Sequence, residues 1–298
     1  MSEINLLNNR IEGLSILARQ KVSSFLSGNR RSLFLGHGTE FADLREYVYG
    51  DDQRHVDWRA TAKRLNKLIV RDYEVERNTN VIFVLDSSAS MLLGDTQSRI
   101  KSAVIAVASL THASIANKDF FGFGYFSDDQ EVFIPPKSGK PQEYLIYKKL
   151  LNLIPKGKTN LGMSLSKISS SLKQRSLFIV LTDLHDDLDE LYKGLRISKG
   201  FNHEVKVMQF SNRNEFVLPE NLGKVKFIHP ISKKMVQVNL SDPISSGLYS
   251  FEIEKDKNKL KDFKRKLRGI NVDVIECFTE NVIEQVLLTY FSTKRKGI

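Results

Sequence analysis

Cysteine is nearly absent from this chain: Cys277 is the only one in 298 residues. One thiol cannot close an internal disulfide, so the fold must hold without one. Cys277, in the run Val272-Asp273-Val274-Ile275-Glu276-Cys277-Phe278, reads as a small core residue of a late strand. Long hydrophobic runs are missing too. No stretch approaches the roughly 18 uncharged apolar residues of a membrane span. Residues 1–10 lack the basic-then-apolar build of a signal peptide, so a cytoplasmic protein without a membrane span is expected. No internal repeat, low-complexity tract or long linker is present.

Several catalytic signatures are also lacking. Gly157-Lys158-Thr159 imitates the end of a phosphate-binding loop, but that motif needs glycine where Asn152 stands. Gly122-Phe123-Gly124 lacks the third glycine of a dinucleotide fingerprint and lies inside a strand-like run. A haloacid-dehalogenase-like phosphotransferase needs a second aspartate two residues after the first, and that position is Ser88. No Gly-x-Ser-x-Gly elbow or His-Glu-x-x-His pair occurs. The histidines, at 37, 55, 112, 185, 203 and 229, are scattered and read as surface or hydrogen-bonded core residues.

What is present is enough for one large core or a core with an appended module: 41% of residues are hydrophobic. The formal net charge of +10 raises an electrostatic nucleic-acid reading, and residues 255–268 are the densest basic stretch. Leu260, Phe263 and Leu267 recur there at three and four, which marks an amphipathic helix with one buried stripe and a solvated lysine face, ended by Gly269. Neither stacking aromatics nor an arginine cluster accompanies it, so a nucleic-acid partner is not favoured.

Periodicity orders the rest. Helical spacing covers 11–24, and 28–31 break it. Residues 68–76 alternate as a strand outside the main sheet. Val81-Ile82-Phe83-Val84-Leu85 and Leu177-Phe178-Ile179-Val180-Leu181 are continuous apolar runs, as buried parallel strands require. A helix over 98–116 presents Ile100, Val104, Val107, Thr111 and Ile115 inward. Strands at 120–126 and 131–134 are joined by the turn 127–130, and helices follow at 142–153 and 161–172. Then come a helix near 188–198, a strand at 205–210, the lysine-rich helix, the Cys277 strand and a last helix holding Val282, Val286, Leu287 and Tyr290. This alternation implies a mostly parallel sheet with helices on both faces. In 212–250 no amphipathic helix is read; 224–229 and 234–239 form a plausible hairpin, expected to pack with the strand 68–76 as a small β module.

Asp86-Ser87-Ser88-Ala89-Ser90 begins where the first apolar run ends, and Thr182-Asp183 where the second ends. Lys156-Gly157-Lys158-Thr159-Asn160 directly precedes a helix with apolar Leu161, Leu165, Ile168 and Leu172 on one face. In an open α/β sheet ligands gather at the carboxyl ends of the strands, where these three loops converge. Carboxylates and hydroxyls are hard oxygen ligands suited to Mg²⁺ or Mn²⁺; the alternative is a hydrogen-bonded cluster of capping loops.

The set Asp86, Ser88, Ser90, Thr159 and Asp183 resembles the metal-ion-dependent adhesion site of von Willebrand factor A domains, with all five positions filled. The resemblance implies a von Willebrand factor A-like, Rossmann-like three-layer αβα fold. It implies that Ser88, Ser90 and Thr159 ligate the cation through hydroxyls, that Asp86 and Asp183 act largely through bound waters, and that an acidic residue of a partner completes the coordination. Upstream, Gly38-Thr39-Glu40-Phe41, Leu44-Arg45-Glu46-Tyr47 and the stretch from Gly50-Asp51-Asp52 through Asp57-Trp58-Arg59-Ala60-Thr61-Ala62-Lys63 resemble the segment preceding the A domain in the bacterial DUF58 family. Lys63 stands where that family usually has arginine. Proteins of this kind are often encoded beside a MoxR-type AAA+ ATPase, so the resemblance implies such a partner.

The expected organisation is an N-terminal helix and strand module over 1–79 and an A-like domain over 80–298 carrying a hairpin insertion at about 212–250. The functional expectation is a metal-dependent interaction adaptor, with no enzyme activity, whose contact rim is Ser87, Ala89, Met91 and Asn160. The alternatives are a divalent-metal hydrolase and an electrostatic binder of nucleic acid or another anionic surface. Asp51, Asp52, Arg54, Asp57, Trp58, Arg59 and Arg71 read as an ion-pair network with the single tryptophan packed beneath it.

Overall fold

The computed structural model describes residues 3–27, 40–49, 51, 53–63, 67–74, 80–94, 98–127, 130–185, 187–211, 223–228, 235–239, 241–278 and 281–295. The expected break at 28–31, the turn residues 128–129 and 230–233, Asp52 and residues 212–222 lie outside these.

The two apolar runs become the centre of the fold. Strand β3 (Asn80–Asp86) pairs in parallel with both β4 (Phe120–Ser127) and β6 (Ser176–Thr182), so its side chains have no wet face to alternate toward. The pleat instead deals them to two cores. Val81, Phe83 and Leu85 join one, with Leu177, Ile179 and Leu181 of β6; Ile82 and Val84 join the other, with Phe178 and Val180. Strand β7 (Glu204–Ser211) continues the parallel sheet from β6, β10 (Asp273–Phe278) adds beyond it, and β5 (Gln130–Lys137) closes the opposite edge antiparallel to β4. The order β10-β7-β6-β3-β4-β5 is the doubly wound order, whose switch point lies between β3 and β6. At the outer edge, β5 carries Pro135 and Pro136, and the Gln142 amide donates to the Pro135 and Phe121 carbonyls.

One face of the sheet is covered by α3 (Arg99–Ala116), α4 (Lys140–Leu151) and α8 (Val282–Arg295). The other is covered by α5 (Leu161–Ser171), α6 (Leu188–Gly200) and α7 (Pro243–Arg268). This is the expected αβα sandwich. Helix α1 (Glu3–Ser27) lies outside α3, touching α4 and α8, and sinks Ile11, Leu14, Ala18, Val22 and Phe25 into the first core. That extra layer explains why α3 is buried beyond the single inner face read from its periodicity: Ala106, Ser109, Leu110 and Ala113 are covered as well as Ile100, Val107 and Thr111.

Two readings need correction. The strand read over 68–76, observed as β2 (Ile69–Glu74), does not share a sheet with the hairpin. It pairs with β1 (Glu40–Glu46), while β8 (Lys224–Ile228) and β9 (Met235–Asn239) form a separate two-stranded sheet. Strand β2 pairs with β1 along its length and bridges to Val56 through Val70 on its other side, so it offers the hairpin no continuous free edge. Helix α7 begins at Pro243, well inside the segment read as helix-free. Proline at the first helical position is a start signal, because its missing N–H is one that a helix leaves unpaired anyway. The stripe at Phe263 and Leu267 is buried as expected, with Leu260 packed beside it. Cys277 is buried on β10, and burial pushes its thiol up to about 12.

The 51–59 constellation resolves into local contacts. Arg45 donates two hydrogen bonds to the Asp51 carboxylate, at 2.7 and 2.8 Å, and these hold Asp51 down to about 2. Asp57 accepts from the backbone N–H of Arg59 and Ala60 at the start of α2 (Trp58–Lys63). Trp58 is not packed beneath this network: it is 68% exposed.

Candidate functional site

Asp86 is the last residue of β3 and Thr182 the last of β6, so both sit at the carboxyl ends of neighbouring strands. The Asp86 Oδ1 accepts from the Ser88 N–H (2.9 Å) and from Thr159 Oγ1 (3.2 Å), and Oδ2 accepts from Thr182 Oγ1 (2.8 Å). Ser88 Oγ lies 2.9 Å from Ser90 Oγ, and Ser90 hydrogen-bonds Asp183. All five residues expected from the sequence therefore belong to one connected polar cluster, and each is buried.

Backbone contacts bring the loops together. Ala89 N–H donates to the Gly157 carbonyl and Lys156 N–H to the Ser87 carbonyl, which joins the 86–90 loop to the 156–160 loop. Gly157 has φ +61°, where a side chain would strain the turn that aims Thr159 inward. Asn160 then caps α5 by accepting from the Met163 N–H. The first turn of α6 is held by a close helix crossing: a Cβ on Gly162 would meet the Glu190 carbonyl oxygen at 2.0 Å, and one on Gly194 would meet the Gly162 oxygen at 2.2 Å. Helices α5 and α6 thus touch backbone to backbone directly behind the site.

The electrostatics are those of two carboxylates sharing one dry place. Burial first, then the charge of Asp183, push Asp86 up to about 6. Burial opposes ionisation of Asp183 as well, but the His185 hydrogen bond and the charges of His185 and Arg99 outweigh it and hold Asp183 below the usual carboxylate range. Arg99 Nη1 donates to Asp183 Oδ2 at 2.9 Å, with both side chains buried. The His185 backbone N–H donates to Asp183 Oδ1, and its Nδ1–H donates to the Asp183 carbonyl.

Above this floor opens a cleft of about 650 Å³ lined by Ser88, Ser90, Thr159, Lys158, Asn160, His185 and residues 187–190, with Lys259 of α7 reaching its edge. The expected rim is corrected here. Ser87, Ala89 and Met91 are buried, because the 86–92 loop turns back under the 156–160 loop; Asn160 alone of that set faces the opening.

Sequence reasoning missed four contributors: Thr182 as partner of Asp86, His185, Lys259 and Arg99. Only Arg99 left a usable signal. A cation in the first turn of a helix faces the positive end of the helix dipole, so it calls for an anion nearby.

The donor set fits a hard divalent cation. Among the described residues no group of three or more His, Cys, Asp and Glu is arranged to hold a metal; here the donors are two carboxylates and the hydroxyls of Ser88, Ser90 and Thr159. Two carboxylates buried near one another, each raising the cost of ionising the other, would gain from a cation beside them. Among the described residues no helix is long and apolar enough to cross a membrane.

The chain is 23% identical over 288 residues to uncharacterised proteins of Mycobacterium bovis and Mycobacterium tuberculosis, covering 95% of this chain and 88% of each of theirs. Among solved structures, a conserved hypothetical protein BatB from Bacteroides thetaiotaomicron matches at TM-score 0.49 and 15% identity, over 74% of this chain and all (100%) of that one. The SpRpn10 VWA domain matches at TM-score 0.45 and 10% identity, over 72% and 95%. A family model described as "Protein of unknown function DUF58" matches residues 43–257, from β1 into α7. The chain belongs to the DUF58 family and folds as a doubly wound, three-layer αβα domain with a mostly parallel sheet.

Proposed function

We propose that this protein is a metal-dependent interaction adaptor of the cytoplasm, whose floor of Asp86, Ser88, Ser90, Thr159 and Asp183 holds Mg²⁺ or Mn²⁺ for an acidic residue of a partner protein. The observation that carries the reading is the convergence of five buried oxygen-bearing side chains from three loops at the switch point of the sheet, beneath an open cleft. When bound, the cation supplies a Lewis-acidic position that an outside carboxylate can fill. The residues of this chain would do the rest: the hydroxyls of Ser88, Ser90 and Thr159 would hold the cation, Asp86 and Asp183 would act largely through bound waters, and Lys158 and Lys259 at the cleft favour an anionic approach. By family resemblance the partner is a MoxR-type AAA+ ATPase.

The test begins with Mg²⁺ or Mn²⁺ alone. A cation that binds only the folded chain adds about 2.7 kcal/mol at 100 times its Kd, and thermal unfolding should move up by several degrees. Thr159→Ala should shrink that shift, and EDTA should abolish both it and capture of the ATPase. No shift across a millimolar titration would count against the reading. The hydrolase alternative gains one residue from the structure, since His185 stands at the cleft in reach of a bound substrate. Metal-dependent phosphatase turnover that disappears in His185→Asn would replace the adaptor with that hydrolase.

A further inference from the structure

We propose that the groove beside the crossing of α1 and α3 binds a free fatty acid, an aliphatic chain ending in a carboxylate, at a place separate from the cleft and independent of the metal reading. Helix α1 runs across α3: on one side the Tyr144 hydroxyl of α4 donates to Asn8, and on the other Phe25 stacks on Phe291 of α8. In the angle of that crossing lies a groove of about 390 Å³. Leu14 and Ile100 form its buried floor, and Leu17, Val104, Leu153 and Pro155 its half-buried walls.

The lining says what the groove takes. Every side chain along it is aliphatic except Arg10 and Lys101, so no neutral hydrogen-bonding side chain is there to hold a sugar, a base or an extended peptide. Arg10 and Lys101 are exposed at the rim, no acidic side chain lines the groove, and among the described residues neither cation has an ion pair. An anion is therefore favoured at the rim, and a guanidinium can give a carboxylate two parallel hydrogen bonds. Gly13 adds a further sign. It stands in the middle of α1, where glycine weakens a helix, yet a Cβ there would meet nothing within 4 Å, so no packing within the chain requires it. The missing side chain leaves a place open along the groove. Size decides between a small amphiphile and a protein. The volume falls in the range of about 300–1,000 Å³ usual for small-molecule sites. Eleven lining residues fall short of the roughly 20–30 a side that a stable protein interface uses. The apolar side chains are recessed rather than projecting, which suits taking an alkyl chain out of water and not anchoring the protein in a bilayer.

The experiment titrates the full chain with straight-chain fatty acids, from hexanoate to tetradecanoate, by calorimetry below their micellar concentrations. EDTA is present throughout, so that no cation draws the carboxylate to the cleft. Each added methylene should tighten binding about fourfold until the groove is full, and longer chains should gain nothing more. No saturable binding, or a gain that continues unbroken through tetradecanoate, overturns the proposal. Decanol should bind more weakly than decanoate, by up to about fivefold, and the double variant Arg10→Gln with Lys101→Gln should lose that preference. Equal binding of decanol and decanoate by wild type overturns the carboxylate assignment. Gly13→Leu fills the open place, so it should abolish decanoate binding while raising the melting temperature by about 1–3 °C. Unchanged decanoate affinity in that variant, or a lower melting temperature, overturns the reading of the groove. Binding to anionic phospholipid vesicles without any binding of decanoate would replace the fatty acid with a membrane surface. Gly13→Leu should keep the Mn²⁺-induced shift in thermal unfolding, so failure of this proposal leaves the metal reading standing.

Discussion

His203 shows how much a single side chain can be fixed by two backbone groups. Its Nδ1 accepts from the Ser176 N–H and its Nε2–H donates to the Ser169 carbonyl, both at 3.2 Å, while the ring leans on Phe178 with centroids 5.1 Å apart. The neutral ring fits this slot and the protonated ring does not, since a proton on Nδ1 would face another N–H. Burial accordingly holds the His203 pKa below its ordinary value. The sign is then set: the stability His203 contributes is full above about pH 6.5 and is lost as pH falls below it, because the unfolded chain takes up the proton first. Asp86 works in the opposite direction over about pH 4 to 6, its raised pKa favouring the folded state on acidification, so wild type alone cannot reveal the effect. Urea titrations of wild type and His203→Asn, which keeps an acceptor toward Ser176, should show that acidification below about pH 6.5 costs wild type more stability, or gains it less, than the variant. The same slope in both would mean that His203 takes up its proton as readily in the folded protein as in the unfolded chain. The scattered histidines carried no such message in the sequence, because tautomer and slot are set by residues 27 and 34 positions away.

At the scale of elements, the placing of the site depends on the contact between α5 and α6. Gly194→Ala puts a methyl group 2.2 Å from the Gly162 carbonyl oxygen, and backbone cannot yield as a flexible side chain can. The expected cost is about 1–3 kcal/mol, toward the upper end, together with weakened Mn²⁺ binding because Thr159 lies just before α5. Gly200→Ala, on the same helix with nothing within 4 Å, should be neutral or stabilising by up to about 1 kcal/mol; denaturation curves of the two variants check both values. The strands and helices around this crossing were legible in the sequence for a simple reason. Buried central strands such as β3 and β6 must be apolar throughout, and Asp86, Ser88, Ser90 and Asp183 stand out where those runs stop, while Thr159 stands just before an amphipathic helix. What was illegible was which surface each apolar stripe meets. The pattern in α1 announces a buried face but not that α3 lies under it, and the charged sequence of β1 hides a strand that needs only a ladder with β2. The close crossing at Gly162 and Gly194 was invisible too, since two glycines acquire their meaning only when two helices meet.

For the molecule as a whole, the two ends of the sheet are built differently. At the end where the strands begin, Asp119 is buried before β4, accepts from the Tyr290 hydroxyl, and pairs with Lys294 at 2.6 Å; Asn117 donates to the same hydroxyl. This network ties the last helix to the end of α3, at the opposite end of the sheet from the cleft. Asp119→Ala should cost about 3–5 kcal/mol by leaving buried partners uncompensated, yet leave Mn²⁺ affinity unchanged, as calorimetry beside chemical denaturation would show. A fall in affinity would mean that the two ends communicate through α3. The edge formed by β5 has a different bearing. Prolines 135 and 136 remove two N–H groups from its ladder, and Gln142 occupies the Pro135 carbonyl. A strand from a neighbouring molecule finds no continuous row of donors and acceptors there. The sheet therefore cannot grow outward across this edge, neither into a fibre nor into a complex that recruits its ligand as one more strand, and a crowded solution of the protein is protected from self-templating along that side.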